Sequence, residues 1–100
     1  MKHSVVLTPA AAEEFEAAVA WYENEQRGIG TGLKVAVLGA IRLIQDRPLA
    51  FPRIHRAVRR ARVRGYPYSV LYTVELAFIR VIAIFHARRN PSEWMARDIE

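Results

Sequence analysis

Between positions 53 and 64 the chain carries Arg53, Arg56, Arg59, Arg60, Arg62 and Arg64 together with His55, and no acidic residue stands among them. A guanidinium group keeps its charge and presents a planar fork of donors that matches phosphate or carboxylate oxygens two at a time. Ala57, Val58, Ala61 and Val63 interleave with these arginines. The segment therefore reads as a β-strand bearing arginines, not as a disordered basic tail. Its chemistry is recognition of an anion. A second basic group follows at Phe85-His86-Ala87-Arg88-Arg89, where an imidazole beside guanidinium groups could move a proton while they hold a phosphate. Tyr66-Pro67-Tyr68 and Tyr72 add aromatic faces able to stack a base, although Tyr68 and Tyr72 share a strand face and read as core residues.

Other chemistries lack their residues. The chain has no cysteine, which removes disulfides, thiolate metal sites and cysteine nucleophiles. His3, His55 and His86 show no metal-ligand spacing, and Ser4, Ser69 and Ser92 stand in no nucleophile-elbow context. Gly28-Ile29-Gly30 does not follow a strand, so it is no phosphate loop. Glu13, Glu14 and Glu16 read as a cluster near a helix N-terminus, where carboxylates complement the helix dipole, not as an acid/base pair. The expectation is no metal and no cofactor.

The totals agree with a small anion-binding protein. One hundred residues make one domain, positions 1–100. The net charge is +5 and the pI about 10.2. Among the fifteen basic side chains only Lys2 and Lys34 are lysine. The N-terminal apolar run is too short for a signal peptide, and no apolar stretch reaches the roughly 18 residues of a membrane span. A soluble cytoplasmic domain with no membrane partner is expected.

The elements that must position the arginines follow from periodicity. Lys2 to Leu7 predicts a first strand. Thr8 supplies an N-cap oxygen and Pro9 the first helical position, and Ala11, Phe15, Ala18 and Tyr22, with Ala12 and Val19 alongside, form the buried stripe of a first helix. After the glycine turn a second helix runs from about Thr31 to Asp46. Leu33, Val37, Ala40, Ile41 and Ile44 make its apolar face, widened by Val35 and Leu38. Arg47-Pro48 ends it. A short turn makes the two helices an antiparallel hairpin. Ala57 to Arg64, Tyr66 to Glu75 and Phe78 to His86 then predict three strands in an antiparallel meander, the last central and covered on both faces. Pro91 to Met95 predicts a short terminal helix, with Trp94 pinning it to the sheet. The fold class is α+β, an N-terminal strand and a helical hairpin packed on a meander.

Several pieces together resemble the RelE/ParE superfamily of bacterial type II toxin–antitoxin toxins. They are Ala18-Val19-Ala20-Trp21-Tyr22-Glu23, Pro48-Leu49-Ala50-Phe51-Pro52, Val58-Arg59-Arg60, Gly65-Tyr66-Pro67-Tyr68-Ser69-Val70-Leu71-Tyr72, and the run from Val81 through His86, Arg88 and Arg89 to Trp94. The resemblance implies a toxin neutralised by a cognate, acidic antitoxin encoded beside it. Its two branches imply different mechanisms. No tyrosine follows Tyr72, so the terminal tyrosine usual in the RelE-like nucleases is missing, and the wording around Trp21 and His86 looks closer to ParE. The leading expectation is thus a ParE-like inhibitor of DNA gyrase, with Arg59, Arg60, Arg62, Arg64, His86, Arg88 and Arg89 meeting target or antitoxin. The alternative is a ribosome-dependent mRNA endoribonuclease, with His86 as acid or base and Arg62, Arg64 and Arg88 at the phosphate. A third reading is a family member that binds its antitoxin and has lost toxicity.

Overall fold

The computed structural model describes residues 3–99, so Lys2 of the expected first strand lies outside it. The strand itself, β1, is Val5–Leu7. Thr8 ends it and begins helix α1 (Pro9–Glu25), its hydroxyl accepting the Ala11 N–H at 3.2 Å while Pro9 takes the first helical position. Helix α2 (Ile29–Asp46) starts two residues before the expected Thr31. The reason is local: Gly28 adopts a φ of 91°, open to glycine at little cost, and Glu23 from α1 supplies the cap. Its carboxylate accepts the N–H groups of Gly28 and Gly30 at 3.0–3.1 Å. Gly30 lies where α2 crosses α1, and a Cβ there would come within 2.6 Å of the Val19 carbonyl. The expected α2 face of Leu33, Val37, Ala40, Ile41 and Ile44 is buried. Val35 and Leu38 do not widen it; they are exposed.

The sheet has five strands in the order β1-β5-β4-β3-β2. The expected meander is its centre: β3 (Val58–Arg62), β4 (Tyr68–Val74) and β5 (Ile79–His86) pair antiparallel in sequence. β1 adds a parallel edge against β5. The opposite edge corrects the sequence reading. Residues 53–64 are not one strand but a hairpin, in which β2 (Arg53–His55) folds back on β3 so that Arg53 faces Arg59. The reversal falls at Arg56, whose φ of 52° is unusual for a residue with a Cβ.

One irregularity in β5 sets its faces. Leu71 pairs with Ala83 and Tyr72 with Val81, so Ile82 is an extra residue on β5. Such a bulge switches which side successive side chains take. Val81 and Ile84 consequently join the core under the helices with Leu33, Val37, Val70 and Tyr72. Ile82, Ala83 and Phe85 form a second cluster on the outer face with Val58, Leu71 and Trp94. Trp94 comes from helix α3 (Ser92–Met95), continued by a 3-10 turn at Ala96–Ile99. β5 is thus covered on both faces, as its unbroken apolarity requires.

Candidate functional site

Two grooves open at the end of the sheet where β3 leaves, β4 enters and β5 finishes, and they divide the predicted residues between them. The first lies against α1. Trp21, Tyr68 and His86 line it together with Glu14, Ala17, Ala18, Ile84 and Arg89 around a space of about 250 Å³, and Tyr22 joins Trp21, Tyr68 and His86 around an adjoining one of about 220 Å³. Cross-strand pairing of Tyr68 with His86 sets their side chains together, and the rings meet edge-to-face at 5.0 Å. Tyr22 packs at 6.2 Å from Tyr68 and at 5.0 Å from Trp21. Trp21 is 57% exposed, a large apolar surface placed at the groove's entrance.

His86 is held rather than loose. Its Nδ1 accepts the Arg88 N–H at 3.0 Å, so the neutral ring carries its proton on Nε2. Burial raises the Tyr68 hydroxyl above its ordinary pKa, the neighbouring Tyr22 adds to this, and Arg89 opposes both. A phenol shifted in that direction stays protonated and makes a poor base. Arg89 is not available to a phosphate either. Its guanidinium donates to Glu14 at 2.7 Å and to Glu93 at 2.8 Å and stacks 4.4 Å over the Phe85 ring. Burial works against its charge, but the hydrogen bonds and charges of Glu14 and Glu93 outweigh it and raise its pKa.

The second groove runs along α2 and measures about 540 Å³. Arg62, Arg64 and Tyr66 line its sheet side, and Gly32, Val35, Ala36, Gly39 and Leu43 its helix side. Tyr66 and Tyr68 separate the two grooves, both packed on Tyr22. His86 thus lines one groove, and Arg62 and Arg64 line the other.

Arg59 has a structural task. Its Nη1 donates to the carbonyls of Leu49 at 3.2 Å and Phe51 at 2.6 Å, tying the connection after α2 to β3. Tyr72 works beside it, its hydroxyl donating to the Pro48 carbonyl at 2.6 Å; burial pushes its pKa up to about 12. Arg60, Arg62, Arg64 and Arg88 enter no ion pair among the described residues. Sequence reasoning missed Glu14 and Trp21 as groove residues and favoured a core role for Tyr68, which lines the groove. Positions 14, 17, 18 and 21 of α1 share a side by their spacing, but only the docking of α1 on β5 sets that side beside His86 and Arg89.

Among the described residues no cluster of His, Cys, Asp or Glu could hold a metal ion, and no helix is long and apolar enough to cross a membrane. The family model for the ParE toxin of type II toxin–antitoxin systems, parDE, matches residues 5–91. No curated protein matches the sequence. Among solved structures the fold resembles a chain of the chromosomal ParDE toxin–antitoxin system from P. aeruginosa, with a TM-score of 0.76 at 16% identity. That likeness covers 87% of this chain and 98% of the other.

Proposed function

The chain belongs to the ParE toxin family of type II toxin–antitoxin systems, and from that membership we propose that it stops growth by binding DNA gyrase and not by catalysing a reaction. The supporting observation is the separation of His86 from Arg62 and Arg64 into different grooves. Phosphodiester cleavage through a 2′-hydroxyl needs a proton acceptor and cationic groups converging on one phosphate. The guanidinium that lines the groove with His86 is that of Arg89, and it is engaged by Glu14 and Glu93. A binding surface has no such requirement. The exposed Trp21, the fixed His86 ring and the free charge of Arg88 offer an aromatic anchor with a polar edge, the pattern common at binding hot spots.

On this reading the toxin works in the cytoplasm, where gyrase is, and its cognate antitoxin neutralises it. Expression of the chain alone in a bacterial host tests it, with thymidine and amino-acid incorporation followed over the first minutes. Early loss of thymidine incorporation, with purified gyrase inhibited in supercoiling, supports the proposal. Early collapse of translation with cut messages, abolished by His86→Ala, would return the function to ribosomal RNA cleavage.

A further inference from the structure

We propose that the β2–β3 hairpin is a second contact surface, which grips the backbone of duplex DNA through Arg53, Arg56 and Arg60. This rests on the gyrase reading, because an enzyme that supercoils DNA holds duplex within reach of a toxin bound to it. Two features of the hairpin cost the folded chain energy and return no contact inside it. His55 pairs with Val58, so Arg56 and Ala57 form a two-residue turn, and Arg56 takes its first position with a φ of 52°. Hairpins of this length ordinarily place glycine, asparagine or aspartate there. Arg53 lies directly opposite Arg59, and like charges so placed repel. The side chains of Arg53, Arg56 and Arg60 make no hydrogen bond and enter no ion pair among the described residues.

What the hairpin exposes identifies the partner. Ile54 packs against the outer-face cluster that Val58 belongs to, and His55 meets the Trp94 ring edge-to-face at 5.8 Å. Pro52, Arg53, Arg56 and Ala57 are left in solvent, charge without a large apolar side chain. Protein partners draw most of their affinity from buried aromatic or apolar anchors. A phosphate backbone needs none, since counterion release supplies the affinity. The major groove of DNA also admits a two-stranded ribbon, whereas that of duplex RNA is deep and narrow.

Charge is sorted across the molecule in the same sense. No acidic residue stands between Asp46 and Glu75, whereas α1 holds five glutamates and no basic side chain. α1 packs on β5 toward one edge of the sheet, and the hairpin forms the other edge. Near a polyanion such a chain turns its hairpin forward and its acidic helix away.

The test titrates the purified full chain into a fluorescent DNA duplex of mixed sequence, about 30 base pairs long, between about 50 and 200 mM salt. The logarithm of the binding constant should fall linearly with the logarithm of salt concentration. Arg53→Gln, Arg56→Gly and Arg60→Gln should each reduce that slope by about 0.9 and weaken binding about 8-fold at about 0.1 M salt. Arg56→Gly separates ligand from fold: it relieves the turn, so its urea midpoint should rise while its affinity for DNA falls. Absence of duplex binding, or variants that bind as wild type does, would overturn the proposal. So would tighter binding of an RNA of the same sequence, or variants that lose affinity for the antitoxin and keep it for DNA. Gyrase supercoiling is scored separately. A chain that binds duplex and leaves gyrase uninhibited sinks the gyrase reading alone, and inhibition by a chain that does not bind duplex sinks this proposal alone.

Discussion

Arg97 closes on Glu14 across the free edge of β5. The two carboxylate oxygens accept from Arg97 Nη1 at 2.9 Å and Nη2 at 3.0 Å, a fork-on-fork pair, and the same two groups finish the strand's backbone. Glu14 accepts the Ile84 N–H at 3.2 Å, and Arg97 donates to the Ile82 carbonyl at 3.1 Å. β1 covers β5 only as far as Val81 before the chain turns into α1. Beyond that point two side chains do what a neighbouring strand would do, and an exposed strand edge is closed.

Replacing Glu14 by Ala would leave Arg97 and Arg89 without their shared counter-ion and the Ile84 N–H without an acceptor. Both side chains are largely buried, with 12% of Glu14 and 20% of Arg97 exposed. A loss of about 3 kcal/mol is expected, read by urea denaturation. The Ile84 amide should also exchange faster. Unchanged exchange at Ile84 would mean that the carboxylate does not cap the edge.

Tyr72 makes stability fall at high pH. Its folded pKa of about 12 lies above the ordinary value of 10.0, so between these values the folded state holds a proton that the unfolded state has lost. The stabilisation is fully present below pH 10 and disappears as pH rises toward 12, by about 2–3 kcal/mol. Denaturation midpoints measured from pH 8 to 12 should show this decline, and Tyr72→Phe should flatten it. The variant should also lose about 1 kcal/mol at neutral pH with its bond to Pro48.

Arg59 and its neighbours should part company on mutation. Arg59→Ala removes two hydrogen bonds from a charged donor to backbone carbonyls, costing roughly 1.5–3 kcal/mol. Arg62→Ala and Arg64→Ala should change stability by about 0.5 kcal/mol or less, as expected of exposed side chains without such bonds. Thermal unfolding of the three variants distinguishes a structural arginine from available ones. Equal destabilisation would contradict the division.

Two glycines of α2 should respond with opposite sign. Gly39→Ala gains helix propensity in open space and should stabilise by about 1 kcal/mol. Gly30→Ala forces a Cβ toward the Val19 carbonyl and Glu23 and should destabilise. Denaturant titration of both variants side by side is sufficient, and a destabilised Gly39→Ala would show a neighbour at that face.

His86 should be the Nε2–H tautomer when neutral, because the Arg88 N–H occupies Nδ1. Long-range proton–nitrogen NMR of the ring reads this directly. An Nδ1–H ring would mean that the strand end is arranged differently and that the groove presents an acceptor.

The sequence alone determined the elements whose signals are local. The cap at Thr8-Pro9, the 3.6-residue spacing of Leu33, Val37, Ala40, Ile41 and Ile44, and the proline after Arg47 each act within a few residues, so the helical hairpin was legible. The apolar run of β5 and the role of Trp94 were legible for the same reason, as was the family to which the chain belongs. The grouping of the arginines was not. Alternation suggested one strand through 53–64, but a reversal at Arg56 depends on pairing with β3 and β4, which local pattern does not encode. Glu14 looked like a helix-dipole residue until docking of α1 set it beside Ile84 and Arg97, far away in the chain. Likewise the partition of Arg62 and Arg64 from His86 depends on which side of Tyr66 and Tyr68 each lies. Charge composition leads to the expectation of an anionic partner; only the packing of α2 and α1 against the sheet decides which guanidinium groups are engaged within the chain.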